Sequence, residues 1–504
     1  MGKMSKEEVY KNIIRDNLDN IIDSGYIPEL GMHKAGKVRD VHFTSKEIGK
    51  PIVMVASDRV SVFDCILNKR IPFKGQILNL FNKWAFDHLK DIIPNASLES
   101  PHLNVIVQRY YKNIMIECVV RGFVWGSLAQ NYEDGKREIC GIKLPGSLLR
   151  YQKLDEPLFT PATKSEEGHD ENISFETVEE MLRKDIATKV RDVSIKLYKR
   201  GAEVALKSGL LFIDTKYEFG LDEERNLYLI DEANTPDSSR YCTVEEHKKF
   251  KLIENEMRLG KYKNVSELLK VKPELKIEEL SKQFVRDVII EKGFGYGSTG
   301  EVPKLDDEDV VEISYRYIKL YELLTGKDFD FPRGNVRYDL LDKLRKAGYI
   351  KGCIVIIIAG SDSDMPHIQE IKKELDNYEI KSEIRICSAH KQPAKCEEII
   401  YEYNQSLEPV VFVCIAGGTD ALSGVVSFHS IHPVISCPPN KEEYISCITN
   451  PPGSSNSLII RPANVAKQIV QIFGQHNPEL QKTLRENNQN KIKKLEQADN
   501  SLRV

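Results

Sequence analysis

Apolar residues run along this chain in two rhythms. In the last third they gather in short runs, IVIII from Ile354, SEIRI from Ser382 and PVVFVCI from Pro409, with the length and β-branched content of buried strands. A polar, turn-forming segment follows each: GSDSDMP (Gly360–Pro366), SAHKQP (Ser388–Pro393) and AGGTD (Ala416–Asp420). This order predicts an α/β sheet whose strand-end loops meet at one site, gathering glycine-freed backbone N–H groups, hydroxyls, two aspartates, a histidine and a lysine. Such a set suits a phosphorylated substrate and proton transfer.

Earlier in the chain the alternation is that of antiparallel strands. GKVRDVHF (Gly36–Phe43) and PIVMVASDRVSVFD (Pro51–Asp64) predict a strand pair with a basic glycine turn, where Lys37 and Arg39 could cover a nucleotide. From Leu210 to Tyr241, two apolar runs flank the charged turn DEERN and predict a β-hairpin. Glu218 and Asp231 lie about equally far from that turn, so they fall on neighbouring strands. Either they share a cation such as the magnesium that accompanies ATP, or they form a solvated acidic edge.

Helical spacing returns over Asp306–Leu324 and ends at TGKDFDFPRG, which places a linker at 325–351 between domains 1–324 and 352–504. Residues 244–282 are expected to form amphipathic helices without chemistry. The GxGxxG at Gly295, Gly297 and Gly300 follows a helical stretch rather than a strand, which argues for a loop and against a dinucleotide fingerprint.

Composition narrows the class. At 504 residues, 41% apolar and 29% charged, with a net charge of -4, the chain is expected to hold two or three globular domains and to have no general attraction to nucleic acid or membrane. The ten cysteines include no CxxC pair, and several, such as Cys353 and Cys414, sit in apolar runs, which points to reduced structural thiols. With no signal-like or membrane-length segment, a cytoplasmic protein is expected, and the basic tract KNKIKKL near the end reads as a solvated helical tail.

Two further segments carry polar groups in telling places. In ECVVRGFVWGSL (Glu117–Leu128), Arg121 and Ser127 stand among apolar residues, where a guanidinium needs an anionic ligand or an internal carboxylate. FTPATKSEEGHDENIS (Phe159–Ser174) concentrates Lys164, His169, Asp170 and Glu171 in a loop suited to a polar substrate or a metal.

Taken in order, GKVRD, SDRVSVFD, ECVVRG with GS, FTPATKSEEGHDENIS, DTKYEFG and IDEANTPDSSRY resemble SAICAR synthetases over roughly residues 15–325, and GSDSD, SAHK and AGG resemble AIR carboxylases over roughly 352–475. The resemblance implies an α+β ATP-dependent synthetase domain followed by a three-layer, flavodoxin-like α/β domain. It implies two reactions: carboxylation of aminoimidazole ribonucleotide (AIR) to its carboxylated form (CAIR), and ATP- and magnesium-dependent condensation of CAIR with L-aspartate to SAICAR.

Carried over by motif, Gly36, Lys37, Arg39 and Lys164 would contact ATP, with Lys37 and Asp231 also catalytic. Glu218 and Asp231 would hold magnesium and complete the ATP site. Arg121, Ser127 and Arg240 would bind the ribonucleotide phosphate, and Ser57, Asp58, Arg59 and Asp170 would line the substrate pocket. In the second half His390 and Lys391 would be catalytic, among Gly360, Ser361, Asp362, Asp364, Ser388, Ala389, Gly417, Gly418 and Thr419 as substrate contacts. Lys391 resembles the form that takes carbon dioxide directly, without biotin, whereas AGGTD looks more like an N-carboxylated-substrate mutase. A non-catalytic nucleotide-binding or oligomerisation module is a further alternative, and the family suggests a homo-oligomer, with an octamer favoured.

Overall fold

The structure, a computed structural model, describes residues 4–63, 65–164, 171–295, 298, 301–440 and 444–503. By internal contacts it divides into two units: residues up to Asp23 together with Lys34–Leu340, and Ser24–His33 together with residues from Leu341 onward.

The first unit is α+β. Strands β1 (Arg39–Phe43), β2 (Pro51–Ala56) and β3 (Val105–Arg109) pair antiparallel, with Arg39 opposite Ala56 and Val53 opposite Val107, so GKVRDVHF and PIVMVA do form the expected strand pair. A second antiparallel sheet is built around β5 (Leu210–Leu221), which pairs with β4 (Ile116–Phe123), β6 (Leu227–Ile230) and β7 (Ser239–Thr243). The β5–β6 hairpin closes where Asp222 N–H meets the Asn226 carbonyl at 3.2 Å. The register then sets chemistry: Asp214 lies opposite both Arg121 and Arg240, and Glu218 lies opposite Ile230.

Helices α1 (Lys74–Leu89) and α2 (Lys184–Lys207) pack on these sheets, and α3 (Asp307–Thr325) packs on α1. On α2, Ile186, Val190, Leu197, Tyr198 and Ala205 are buried at helical spacing. Helix α3 begins with a reciprocal Asp306–Asp309 capping box and stops at left-handed Gly326 (φ 68°), within a residue or so of the expected ends. Residues 244–282 do carry short helices, among them Lys249–Arg258 and Val265–Val271. Helix Gln283–Glu291 precedes the GxGxxG match, of which Gly297 and Gly300 lie outside the described residues.

The second unit is a three-layer α/β domain. Strands β8 (Ile354–Ala359), β9 (Lys381–Ile386), β10 (Val410–Ile415), β11 (Val434–Ser436) and β12 (Ser457–Leu458) form one parallel sheet in the order β9-β8-β10-β11-β12. The IVIII run is apolar throughout because both faces are covered. Val355, Ile357 and Ala359 join the core under α4 (Met365–Asp376) and α7 (Pro462–Phe473), while Ile354, Ile356 and Ile358 join the core under α5 (Pro393–Asn404) and α6 (Leu422–His429). The C-terminal helix α8 (Pro478–Ser501) is anchored by Leu480 and Leu484 and is largely exposed beyond them, as expected of a solvated tail.

Segment 24–33 belongs to this second unit. Tyr26 packs into the core with Ile354, Tyr403 and Phe412, and its carbonyl accepts Leu407 N–H at 2.8 Å. The Glu29 carboxylate accepts the N–H groups of Lys351 and Gly352 at 2.7 and 2.8 Å. Glu29 N–H donates to buried Glu408 at 2.7 Å. Among the described residues, no helix is long and apolar enough to cross a membrane.

Candidate functional site

Two adjoining cavities open in the first unit, of about 430 and 530 Å³. Lys37, Glu117, Lys216, Asp237 and Lys282 line both of them. The larger cavity adds Gly36, Arg39, Lys164, Glu218 and Asp231 to an apolar wall of Val38, Val41, Ile52 and Met54, so the residues expected to contact ATP converge there. The smaller adds Arg121, Ser127 and Arg240, and thus gathers the residues expected to bind the ribonucleotide phosphate.

Strand alternation explains much of this lining. Asp214, Lys216 and Glu218 occupy every second position of β5 and therefore project to one face. Glu218 is buried and paired with Lys164, and its Oε1 lies 3.6 Å from Lys216 Nζ. Burial would raise its pKa, yet Lys216 and Lys164 hold it below the ordinary value. Asp231, just after β6 at a positive φ of 59°, is pushed up to about 6 by burial and then by the Glu218 charge. Arg39 bridges Asp231 at 3.6 Å and Glu232 at 2.5 Å. Two carboxylates that raise one another's cost of ionisation, within reach of three cationic side chains, form a donor set that a small hard cation and its phosphate ligands would satisfy.

At the junction of the cavities, Asp237 accepts Lys74 Nζ at 2.8 Å and the Tyr317 hydroxyl at 2.7 Å, and Lys282 Nζ lies 3.9 Å away. Lys74 is fully buried, and with Lys282 it holds Asp237 well below its ordinary pKa against the effect of burial. Lys282 is itself pushed down to about 8, chiefly by burial.

In the smaller cavity Asp214 Oδ2 accepts Arg240 Nη1 at 2.7 Å and Arg121 Nη1 at 3.4 Å. An internal carboxylate therefore does partner Arg121, which still reaches the cavity wall. Gly126 presses on this row. It has φ 54°, and a Cβ there would stand 2.4 Å from Arg240 Nη1.

Three expected substrate contacts stand elsewhere. Ser57 donates to the Val38 carbonyl at 2.6 Å, and Asp58 accepts the N–H groups of Ile22 and Gly75 at 2.7 and 2.9 Å, so both are buried ties between backbone segments outside either lining. Arg59 bonds Asp40 at 2.8 Å and the Gly36 carbonyl at 3.1 Å, beneath the glycine turn. Asp170 and His169 lie outside the described residues. Sequence reasoning passed over Glu117, Asp214, Lys216, Glu232, Asp237 and Lys282. The alternation in DTKYEFG carried a signal for Asp214 and Lys216, whereas Lys282 stands in the stretch expected to lack chemistry.

In the second unit the three polar segments do meet at the carboxyl ends of adjacent strands. Gly360 N–H bonds the Ile415 carbonyl at 3.0 Å, and Cys387 N–H bonds the Ala359 carbonyl at 2.9 Å. A Cβ at Gly417 would stand 3.2 Å from Asp364 Oδ1. Ser361 caps its own loop by accepting Ser363 N–H at 3.2 Å. Asp362, His390, Lys391, Gly417, Gly418 and Thr419 are exposed, while Gly360, Ser361, Asp364, Ser388 and Ala389 are half-buried. Asp420 is buried instead, bonded to Ser423 and Ser436 at 2.6 and 2.7 Å, and so fixes the glycine loop from beneath.

The paired cavities and the strand-end loops define a two-domain enzyme with a ligase-type site and a separate α/β site. A family model described as SAICAR synthetase matches residues 32–262, and one described as AIR carboxylase matches residues 354–494. The phosphoribosylaminoimidazole-succinocarboxamide synthase of Cytophaga hutchinsonii is 38% identical over 325 residues, 63% of this chain and 96% of that one. The enzyme of the same name from Bacteroides fragilis is 40% identical over 300 residues, 58% of this chain and 87% of that one. Among solved structures, the SAICAR synthase of Saccharomyces cerevisiae complexed with SAICAR is 27% identical with a TM-score of 0.51, covering 62% of this chain and all of that one. The chain belongs to the SAICAR synthetase family and carries an AIR carboxylase domain behind its synthetase domain. It is a bifunctional enzyme of purine biosynthesis, an ATP-dependent ligase joined to a carboxy-lyase.

Proposed function

We propose that the C-terminal domain carboxylates AIR at its ring carbon and the N-terminal domain condenses the resulting CAIR with L-aspartate. The observation that carries the synthetase half is the junction: the two cavities share Lys37, Glu117, Lys216, Asp237 and Lys282 where the γ-phosphoryl group of one substrate would meet the carboxylate of the other. A carboxylate is a poor acyl donor until phosphorylation gives it a phosphate leaving group. Gly36, Lys37, Arg39 and Lys164 hold the ATP phosphates, and the cationic side chains at the junction offset charge in the transfer. Glu218 and Asp231 hold magnesium, which supplies charge neutralisation at the phosphoryl oxygens. Arg121, Ser127 and Arg240 grip the ribonucleotide phosphate, Arg240 and Arg121 through planar guanidiniums suited to it. Asp170 belongs to the same substrate pocket by motif, and Ser57, Asp58 and Arg59 support its walls.

In the carboxylase domain the aminoimidazole reacts as an enamine, its ring carbon attacking carbon dioxide. His390 takes the proton that leaves that carbon, and Lys391 steadies the new carboxylate. Gly360, Ser361, Asp362, Asp364, Ser388, Ala389, Gly417, Gly418 and Thr419 bind ribose and phosphate through backbone and hydroxyl groups. Exposed Phe428 (63%) and Ile431 (74%), at and just beyond the end of α6, support a homo-oligomer built through this domain, and the family resemblance favours an octamer. The test is conversion of AIR, bicarbonate, L-aspartate and magnesium ATP, with a parallel reaction lacking ATP and aspartate. SAICAR in the first and CAIR alone in the second is the expected result. Product only from supplied CAIR or its N-carboxylated isomer overturns direct carboxylation.

A further inference from the structure

Behind Arg240, on the side away from Asp214, stands a buried acid that the reaction outlined above leaves without a task. Glu279 is 7% exposed. Its Oε2 lies 3.9 Å from Arg240 Nε and accepts the Ser281 hydroxyl at 3.1 Å, while Oε1 accepts the Trp125 indole N–H. Trp125, Gly126 and Ser127 are consecutive: the first bonds Glu279, the second packs against the Arg240 guanidinium and the third lines the cavity. The guanidinium is thus held on one edge by Asp214, on another by Glu279 and across its face by Gly126.

Arg121, Arg240, Asp214 and Glu279 carry two positive and up to two negative charges, in a lining that also holds Lys37, Lys216, Lys282 and Arg286 against Glu117 and Asp237. A phosphate monoester brings close to two further negative charges beside the two acids of this row, which favours a proton on one of them. Asp214 contacts two guanidiniums, at 2.7 and 3.4 Å, whereas Glu279 contacts one, at 3.9 Å, and is the less tightly held. Burial pushes Glu279 up to about 7 in the ligand-free protein, with Arg240 opposing and Asp214 adding to the rise. Of the other titratable groups nearby, Tyr151 and Cys242 are held protonated by burial, while Lys282, which lines the same cavity, is pushed down to about 8 and can also take up a proton.

We propose that Glu279 is a positioning residue for Arg240 that sets the charge of the phosphate cradle, taking up a proton from solvent when the ribonucleotide phosphate binds. The proposal rests on the synthetase reading above and extends it to how that site recognises its substrate. Affinity is then greatest when Glu279 is protonated and falls as pH rises through neutrality.

Calorimetric titration of the full chain with SAICAR, in buffers of different ionisation enthalpy from pH 6 to pH 8.5, counts the protons. Wild type should take up protons, most near neutrality, with affinity falling about tenfold across the range for each unit by which the ligand raises the Glu279 pKa. Glu279→Gln should bind with a weaker pH dependence and smaller uptake, the remainder coming from Lys282 and from the ligand phosphate, whose second ionisation lies at about pH 6, and Glu279→Asp should restore the linkage. Equal proton counts for wild type and Glu279→Gln overturn the proposal and leave the synthetase reading intact. Should the glutamine variant not fold, wild type decides with the dephosphorylated riboside: uptake equal to that with SAICAR overturns the proposal, and its loss supports it. Absence of SAICAR binding to wild type overturns both this proposal and the synthetase reading.

Discussion

In the synthetase domain, acids and bases are drawn inside and paired before any substrate arrives. Lys74 is fully buried against Asp237, Glu218 is buried beside Lys164, and Asp214 ties two arginines together. In the carboxylase domain, His390 and Lys391 stand exposed on a loop, and the buried acid beneath the glycine loop, Asp420, is bonded to neighbouring hydroxyls. The contrast follows the chemistry. Phosphoryl transfer concentrates negative charge and needs fixed cations in a dry site, because they act far more strongly there than in water. Adding a one-carbon unit to an electron-rich ring asks mainly for orientation and a group that can exchange a proton near neutrality.

The contrast can be broken first at His390. Replacing it with alanine should lower AIR carboxylation by about 10²–10⁴-fold while SAICAR formation from supplied CAIR stays at the wild-type rate. The converse break is Asp231→Asn, expected to slow SAICAR formation by on the order of 10³-fold, about 4 kcal/mol of barrier, with CAIR formation from AIR unchanged. Equal loss of both activities in either variant would mean that the two chemistries are not assigned to separate domains.

A smaller effect is expected at Gly126, where alanine would place a methyl 2.4 Å from Arg240 Nη1 on a backbone with φ 54°. The KM for CAIR should rise by about tenfold, roughly the worth of one charge-assisted contact, with kcat much less changed. Smallest in activity is Asp58→Asn, which should cost about 1–3 kcal/mol in a urea melt while leaving the kinetics of the folded enzyme near wild type. Burial pushes the Asp58 carboxyl from 3.8 up to about 6. Its contribution to stability is therefore complete below about pH 4 and is lost as pH rises through about pH 6, and the variant should lack that slope.

How much of this was legible varies with the kind of pattern. The parallel sheet was plain, because strands covered on both faces must be apolar at every position, as Ile354–Ala359 are. The β5–β6 hairpin was plain from its charged turn, and it carried Glu218 and Asp231 with it. The surroundings of Asp58 were not legible, because a motif records that a residue matters without saying what it touches; in the structure its carboxylate accepts the N–H groups of Ile22 and Gly75. Lys282 and Glu279 were invisible. Their neighbourhood reads as amphipathic helix without chemistry, and their partners, Asp237, Arg240 and Trp125, lie distant in sequence.

The strap formed by residues 24–33 bears on how such a gene can change. The second compact unit is not a suffix of the chain: Tyr26 fills its core, and Glu29 caps the backbone at Lys351 and Gly352. A single cut near Leu340 would leave the downstream piece with a hole where an aromatic ring belongs and the upstream piece trailing a ribbon that no longer has a groove. Because the second unit draws on two separate stretches of the chain, no single break in the sequence yields it whole.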